Sequence, residues 1–107
     1  MNKETMQSIG FQIISFAGSA FDHFNRAIEN AGNGLFDESD NEIKLGNDDL
    51  NQAHQAQTNL LIAEANQEEL EFSLIMVHAQ DHLTMAIFSQ RMAKQMIVLW
   101  KEVLREK

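Results

Sequence analysis

Apolar residues recur at helical spacings along nearly the whole chain. Ile13, Ile14, Phe16, Ala17, Ala20, Phe21, Phe24, Ala27 and Ile28 fall three and four apart. They predict a first helix from about Lys3 to Ala31. Gly10, Gly18 and Ala20 are small enough to let another helix approach, although Gly10 and Gly18 each cost about 1 kcal/mol against alanine inside a helix. Gly32-Asn33-Gly34 is a stop signal. A second helix is predicted from Asp37, read as its N-cap, to about Ala65. Glu38 and Asp40 in its first turn complement the helix dipole. The first half, through Gly46, Asp48 and Asp49, is polar and acidic and reads as a solvated face, with fraying as the alternative. The second half places Leu50, Ala53, Leu60 and Leu61 on a stripe, with His54 and Gln57 beside it. Asn66-Gln67-Glu68 is the next turn.

The third helix, from about Glu69 to the C-terminus, has the most informative pattern. Leu74, Val77, Asp81, Met85, Phe88, Met92, Met96, Leu99 and Val103 are spaced 3, 4, 4, 3, 4, 4, 3 and 4 apart. An eleven-residue repeat of this kind, about 3.67 residues per turn, runs almost straight along a helix. A second stripe holds Ile75, His78, His82, Ala86, Ala93, Ile97 and Trp100. A helix apolar over so much of its girth is buried by more than one neighbour. Three helices would leave part of it in water, so self-association through the third helix is expected.

Composition agrees with an all-α protein: no proline, few glycines, and abundant Ala, Leu, Met, Gln and Glu. The length suits one domain over 1–107 with a modest core. A net charge of -8 argues against nucleic acid and against an anionic membrane face. The basic residues concentrate at the end of the third helix, at Arg91, Lys94, Lys101, Arg105 and Lys107. There they suit the dipole and read as a solvated face or part of a docking surface. No cysteine is present, so thiolate chemistry is excluded. No apolar run approaches the roughly 18 residues that span a bilayer. The chain reads as a soluble, cytoplasmic protein.

The candidate chemistry lies in Val77-His78-Ala79-Gln80-Asp81-His82-Leu83. Asp81 interrupts the apolar seam, and an uncompensated carboxylate in an apolar core is too costly to persist. It is protonated, meets a cation or faces water. Were copies of the helix to pack around a symmetry axis, their Asp81 carboxylates would need a metal or shared protons. His78 and His82 stand four apart, on one helical face. They allow a structural cluster, chelation of a metal with Asp81, or covalent catalysis. Neither HExxH nor the paired ExxH of di-iron bundles is present, which disfavours metal catalysis. A neutral imidazole titrating near about pH 6.5 is a competent phosphoryl acceptor. It needs donors for the phosphoryl oxygens, and His82, Gln80, Gln57 and His54 are the candidates.

These residues resemble the lactose/cellobiose-type enzyme IIA family of the bacterial phosphoenolpyruvate-dependent sugar phosphotransferase system. The resemblance rests on the 77–83 segment, on Ala53-His54-Gln55-Ala56-Gln57-Thr58, and on Ala17-Gly18-Ser19-Ala20. It implies an antiparallel three-helix bundle that trimerises into a nine-helix assembly. It implies that His78 accepts a phosphoryl group from phospho-HPr and passes it to a cysteine of the cognate IIB protein during disaccharide uptake. Gln80 and His82 are then expected at the phosphoryl site, with Gln57 reaching it from an adjacent subunit. Asp81 is expected near the threefold axis, binding a divalent metal taken as magnesium. No direct contact with sugar, nucleic acid or the bilayer interior is implied. Thr84 stands where the family usually has methionine, and Phe21 where many members carry arginine. A helical interaction module with a structural His/Asp cluster is the alternative reading.

Overall fold

The structure is a computed structural model that describes residues 1–105. Three helices account for it: α1 (Lys3–Gly32), α2 (Phe36–Ala65) and α3 (Leu74–Leu104). They form an up-down-up bundle 57 Å long and only 20 by 17 Å across. The α1 helix lies between the other two and packs along both, whereas α2 and α3 touch each other far less. Lys107 of the predicted basic face falls outside the described residues.

The central position of α1 follows from its buried residues. Met6, Gly10, Ile13, Ala17, Ala20, Phe24, Ala27 and Ala31 alternate spacings of four and three. That is a heptad seam built mostly from small side chains, so two helices can approach it at once. A Cβ on Gly10 would lie 3.1 Å from Ile75 and 3.3 Å from the Met76 backbone, so this glycine does admit α3. Gly18 does not play that part, because a Cβ there would meet nothing within 4 Å.

The acidic first half of α2 is solvated on one face, with Asp37, Glu38, Asp40 and Asp48 exposed, but it is continuous helix and its other face is packed. Ser39 is fully buried and donates a 2.7 Å hydrogen bond to the Ala27 carbonyl. One turn-pair further on, Gly46 lies against the buried Phe24 ring. Asp37 is not the N-cap: Leu35 holds that position, with no side-chain cap bond. Leu50, Ala53 and Leu60 are buried as their stripe requires, but Leu61 is exposed.

Two helices end in the same way. Gly34 (φ 77) follows α1 and Gln67 (φ 64) follows α2, both in the left-handed region. The Leu35 N–H then reaches the Asn30 carbonyl, and the Glu68 N–H the Ala63 carbonyl. These are Schellman closures. The α3 helix begins at Leu74, five residues later than the spacing predicts. Residues 69–73 run outside it: the Glu71 N–H bonds to the Met1 carbonyl, and Ser73, extended at φ -143, accepts from the Met76 N–H as N-cap.

Within the protomer, the buried face of α3 follows the second predicted stripe from Ala86 onward, but in the first turns Met76, Ala79 and Leu83 replace Ile75, His78 and His82. That face is Met76, Ala79, Leu83, Ala86, Ala93 and Ile97, with Trp100 over Gly32. The eleven-residue seam points the other way. Leu74, Val77, Met85, Phe88, Leu99 and Val103 are all exposed, Leu74 by 72% and Phe88 by 64%.

Gly46→Ala is expected to lower stability by about 1–3 kcal/mol despite alanine's better helix propensity, because its Cβ would sit 2.6 Å from the Phe24 ring. Gln67→Gly is expected to raise it by up to about 1 kcal/mol by relieving a left-handed non-glycine residue. Urea unfolding of the two variants beside the parent checks both signs.

Candidate phosphoryl-transfer site on α3

The Ser73 cap starts α3 so that His78 and His82 emerge on the flank that adjoins α1. Their Nε2 atoms are 3.1 Å apart, and the rings meet edge to face, with centroids 4.6 Å apart at 82°. Only one proton can lie between two such nitrogens, so one ring donates and the other accepts. His78 is exposed and makes no other hydrogen bond among the described residues. With His82 as the donor, the His78 Nε2 lone pair faces that N–H across 3.1 Å and the rest of the ring is open, which gives a nucleophile with a donor beside it.

Beside His78 a groove of about 470 Å³ runs between α1 and α3, lined by Phe11, Ile14, Leu74, Ile75, Val77, His78 and Asp81. Its walls are mostly apolar. Asp81 is exposed at its edge, on the outward seam between Val77 and Met85. Among the described residues, no three or more His, Cys, Asp or Glu side chains gather to hold a metal ion. A single protomer therefore offers one carboxylate and does not by itself fit a divalent cation.

The remaining expected site residues lie elsewhere. Gln80 points to the opposite flank, where its Nε2 donates to Gln57 Oε1 at 2.8 Å and lies 3.5 Å from Met76 Sδ. That amide pair ties α2 to α3. His54 is exposed on α2, without a hydrogen bond to any of these groups. The protomer thus brings together His78, His82 and Asp81, and separately Gln80 and Gln57.

A second polar cluster, not singled out by the sequence reading, clasps α1 to α2. His23 Nδ1 lies 2.5 Å from Glu42 Oε2, and His23 Nε2 lies 3.6 Å from Asp49 Oδ2. Ser19 donates to Asp49 at 2.5 Å, and Arg26 Nε donates to Glu42 at 3.5 Å. Ser19 and His23 share a face of α1, four apart, but only the pairing of α1 with α2 reveals their acidic partners. The hydrogen bond from His23, chiefly, and the charges of His23 and Arg26 hold the Glu42 carboxyl below its ordinary value, with burial opposing them.

Comparison with known proteins decides the family. The model of the "PTS system, Lactose/Cellobiose specific IIA subunit" family matches residues 8–101. The chain belongs to this family. It is 39% identical over 101 residues to the lactose-specific EIIA component of Staphylococcus aureus, covering 94% of this chain and 98% of that one. It is 35% identical over 102 residues to the Staphylococcus epidermidis counterpart, covering 95% and 98%. The crystal structure of the cellobiose-specific enzyme IIA from Bacillus anthracis superposes with a TM-score of 0.92 at 34% identity, covering all of this chain and 96% of that one. The crystal structure of PtcA from S. mutans gives 0.91 at 36% identity, covering 94% of this chain and 99% of that one. This IIA chain is thus a component of the phosphotransferase system that couples sugar uptake to phosphotransfer. Among its described residues no helix is long and apolar enough to cross a membrane.

Because the Glu42 carboxyl is held low in the folded state, its stabilising contribution is present above about pH 4.5 and lost as pH falls through the lowered value. Glu42→Gln is expected to be less stable than the parent near neutrality. Its stability should also fall less steeply on acidification. Thermal melts from about pH 7 to 3 test the sign.

Proposed function

We propose that this IIA chain is the histidine phosphocarrier of its transport system, and that His78 is the residue phosphorylated. The carrying observation is the exposed His78 imidazole, hydrogen-bonded among the described residues to His82 alone, at the rim of an apolar groove. An imidazole lone pair of His78 attacks the phosphorus of phospho-HPr. The new N–P bond forms as the donor's N–P bond breaks, and the HPr imidazole leaves with that electron pair. A cysteine thiolate of the IIB protein then attacks the same phosphorus, forming an S–P bond and releasing His78. The His82 N–H, 3.1 Å from the nucleophile, is placed to turn to a phosphoryl oxygen once the lone pair is occupied. The apolar α1 wall of the groove, with Phe11 exposed, gives carrier proteins a surface on which this strongly acidic chain does not repel them.

The active form is proposed to be a homotrimer with the α3 seams around its axis. The exposed seam supports this reading, since so long an apolar face on a monomer marks an interface. A closed ring sets the His78 flank of one protomer against the Gln80 flank of the next. Gln80, Gln57 and His54 would then serve a neighbour's phosphoryl site rather than their own. Three Asp81 carboxylates would converge on the axis, forming the oxygen donor set that suits magnesium and that one protomer lacks. When bound, the cation would neutralise their mutual repulsion.

The substrate sugar is proposed to be a disaccharide of the cellobiose, lactose or chitobiose type, met only by the membrane component. The chain is proposed to work in the cytoplasm.

Incubation with phosphoenolpyruvate, enzyme I and HPr is expected to give one acid-labile, base-stable phosphate per chain. His78→Gln should abolish it, and phosphate retained in that variant would refute the assignment. Stripping divalent ions with a chelator is expected to lower the melting temperature of the parent, with recovery on adding magnesium. Asp81→Asn should respond to neither treatment. Equal responses in both proteins would remove Asp81 from the metal site.

A further inference from the structure

The subunit contact has a second half, on α1. This inference rests on the trimeric reading above. In a closed ring of three copies, each flank of the α3 seam meets the opposite flank of the next protomer, with no shift along the axis. At about 100° per residue, His78 and His82 lie on one side of the seam, next to their own α1, while Gln80, Thr84 and Arg91 lie on the other. The outer side of α1 therefore faces the Arg91 flank of the neighbouring protomer.

The level of each residue along the axis follows from the parallel packing of α1 and α3. Gly10 is level with Ile75 and Gly32 with Trp100. Asp22 is thus level with roughly residues 87–90, within a turn of Arg91, and Glu29 with roughly 94–97, the stretch that carries Lys94. Asp22 and Glu29 stand seven apart on one exposed face of α1. Arg91 and Lys94 are exposed on α3. None of the four takes part in an ion pair among the described residues of the protomer. Gly18, one turn above Asp22 on the same face, leaves the α1 backbone open where a Cβ would meet nothing.

We propose that Asp22 of one protomer meets Arg91 of the next. Lys94 stands about 60° further round α3, between Gln80 and Gln90, which bond to α2, so it and Glu29 take no part. The occupant of the outer α1 face is thus a second copy of this chain. Its Arg91 complements the charge of Asp22, and the contact lies beside the exposed apolar seam. Opposite charges at an interface rim select the partner and its register and make association sensitive to salt. An apolar seam of regular repeat slides easily, so the charged rim supplies the register that the seam lacks.

Analytical ultracentrifugation over a dilution series tests the contact. The wild type is expected to sediment as three chains and to dissociate more readily at raised salt. Arg91→Glu is expected to raise the dissociation concentration roughly tenfold or more, and Arg91→Gln by less. Asp22→Lys combined with Arg91→Glu should restore the wild-type behaviour. Circular dichroism is expected to report the parent's helix content throughout, since both positions are exposed. If Arg91→Glu and Arg91→Gln dissociate at the wild-type concentration, or if the charge swap fails to restore assembly, the contact is overturned and the trimer stands. A wild type that sediments as one chain overturns the trimeric reading itself.

Discussion

The third helix has two apolar faces, and a three-helix protomer can cover only one. The bundle is no more than 20 Å across, so α1 and α2 together reach a single side of α3. They take the face of Met76, Ala79, Leu83, Ala86, Ala93 and Ile97. The longer seam through Leu74, Val77, Met85, Phe88 and Leu99 is left outward. Everything distinctive about the site follows from that division. His78 lies on the boundary between the two faces, close enough to α1 to have one wall and far enough round to stay open. Were the seam the intramolecular core, the imidazole would be packed beneath α1 and α2, closed to any partner.

The same division separates the polar groups. On the α1 flank stand His78 and His82, one nitrogen facing another. On the α2 flank stand Gln80 and Gln57, joined amide to amide. Between them, on the seam, is the Asp81 carboxylate, which takes part in no ion pair among the described residues. On the proposed reading each is half of an arrangement: a phosphoryl acceptor with one donor, amides that would hold a phosphoryl group, and a carboxylate that would share a cation. A ring of three protomers would join these halves. The His23–Glu42–Asp49 clasp lies on the far side of α1, where it fastens α2 without entering that chemistry.

Small residues make the fold possible. The α1 seam of alanines and one close-packed glycine lets two helices share a single neighbour, while Gly46 admits the Phe24 ring. Gly18 is the exception, a mid-helix glycine that nothing in the protomer requires. Its cost in helix propensity is not offset within one chain.

The sequence alone determined the three helices, the stop at Gly34 and the existence of the α3 seam, because apolar spacing and a left-handed glycine are local properties. It also singled out His78, Asp81 and His82, which share one short helical segment. It did not determine the left-handed Gln67, the late start of α3 at Ser73 or the packed face of acidic α2. Each of these depends on a partner distant in the chain: Met1 for the linker, Ala27 for Ser39, Phe24 for Gly46. Nor did it determine which α3 stripe faces inward. Both stripes are apolar, and periodicity measures only how often such residues recur. Which of them α1 covers was decided by where its small residues permit the closest approach, and that is a property of two helices together.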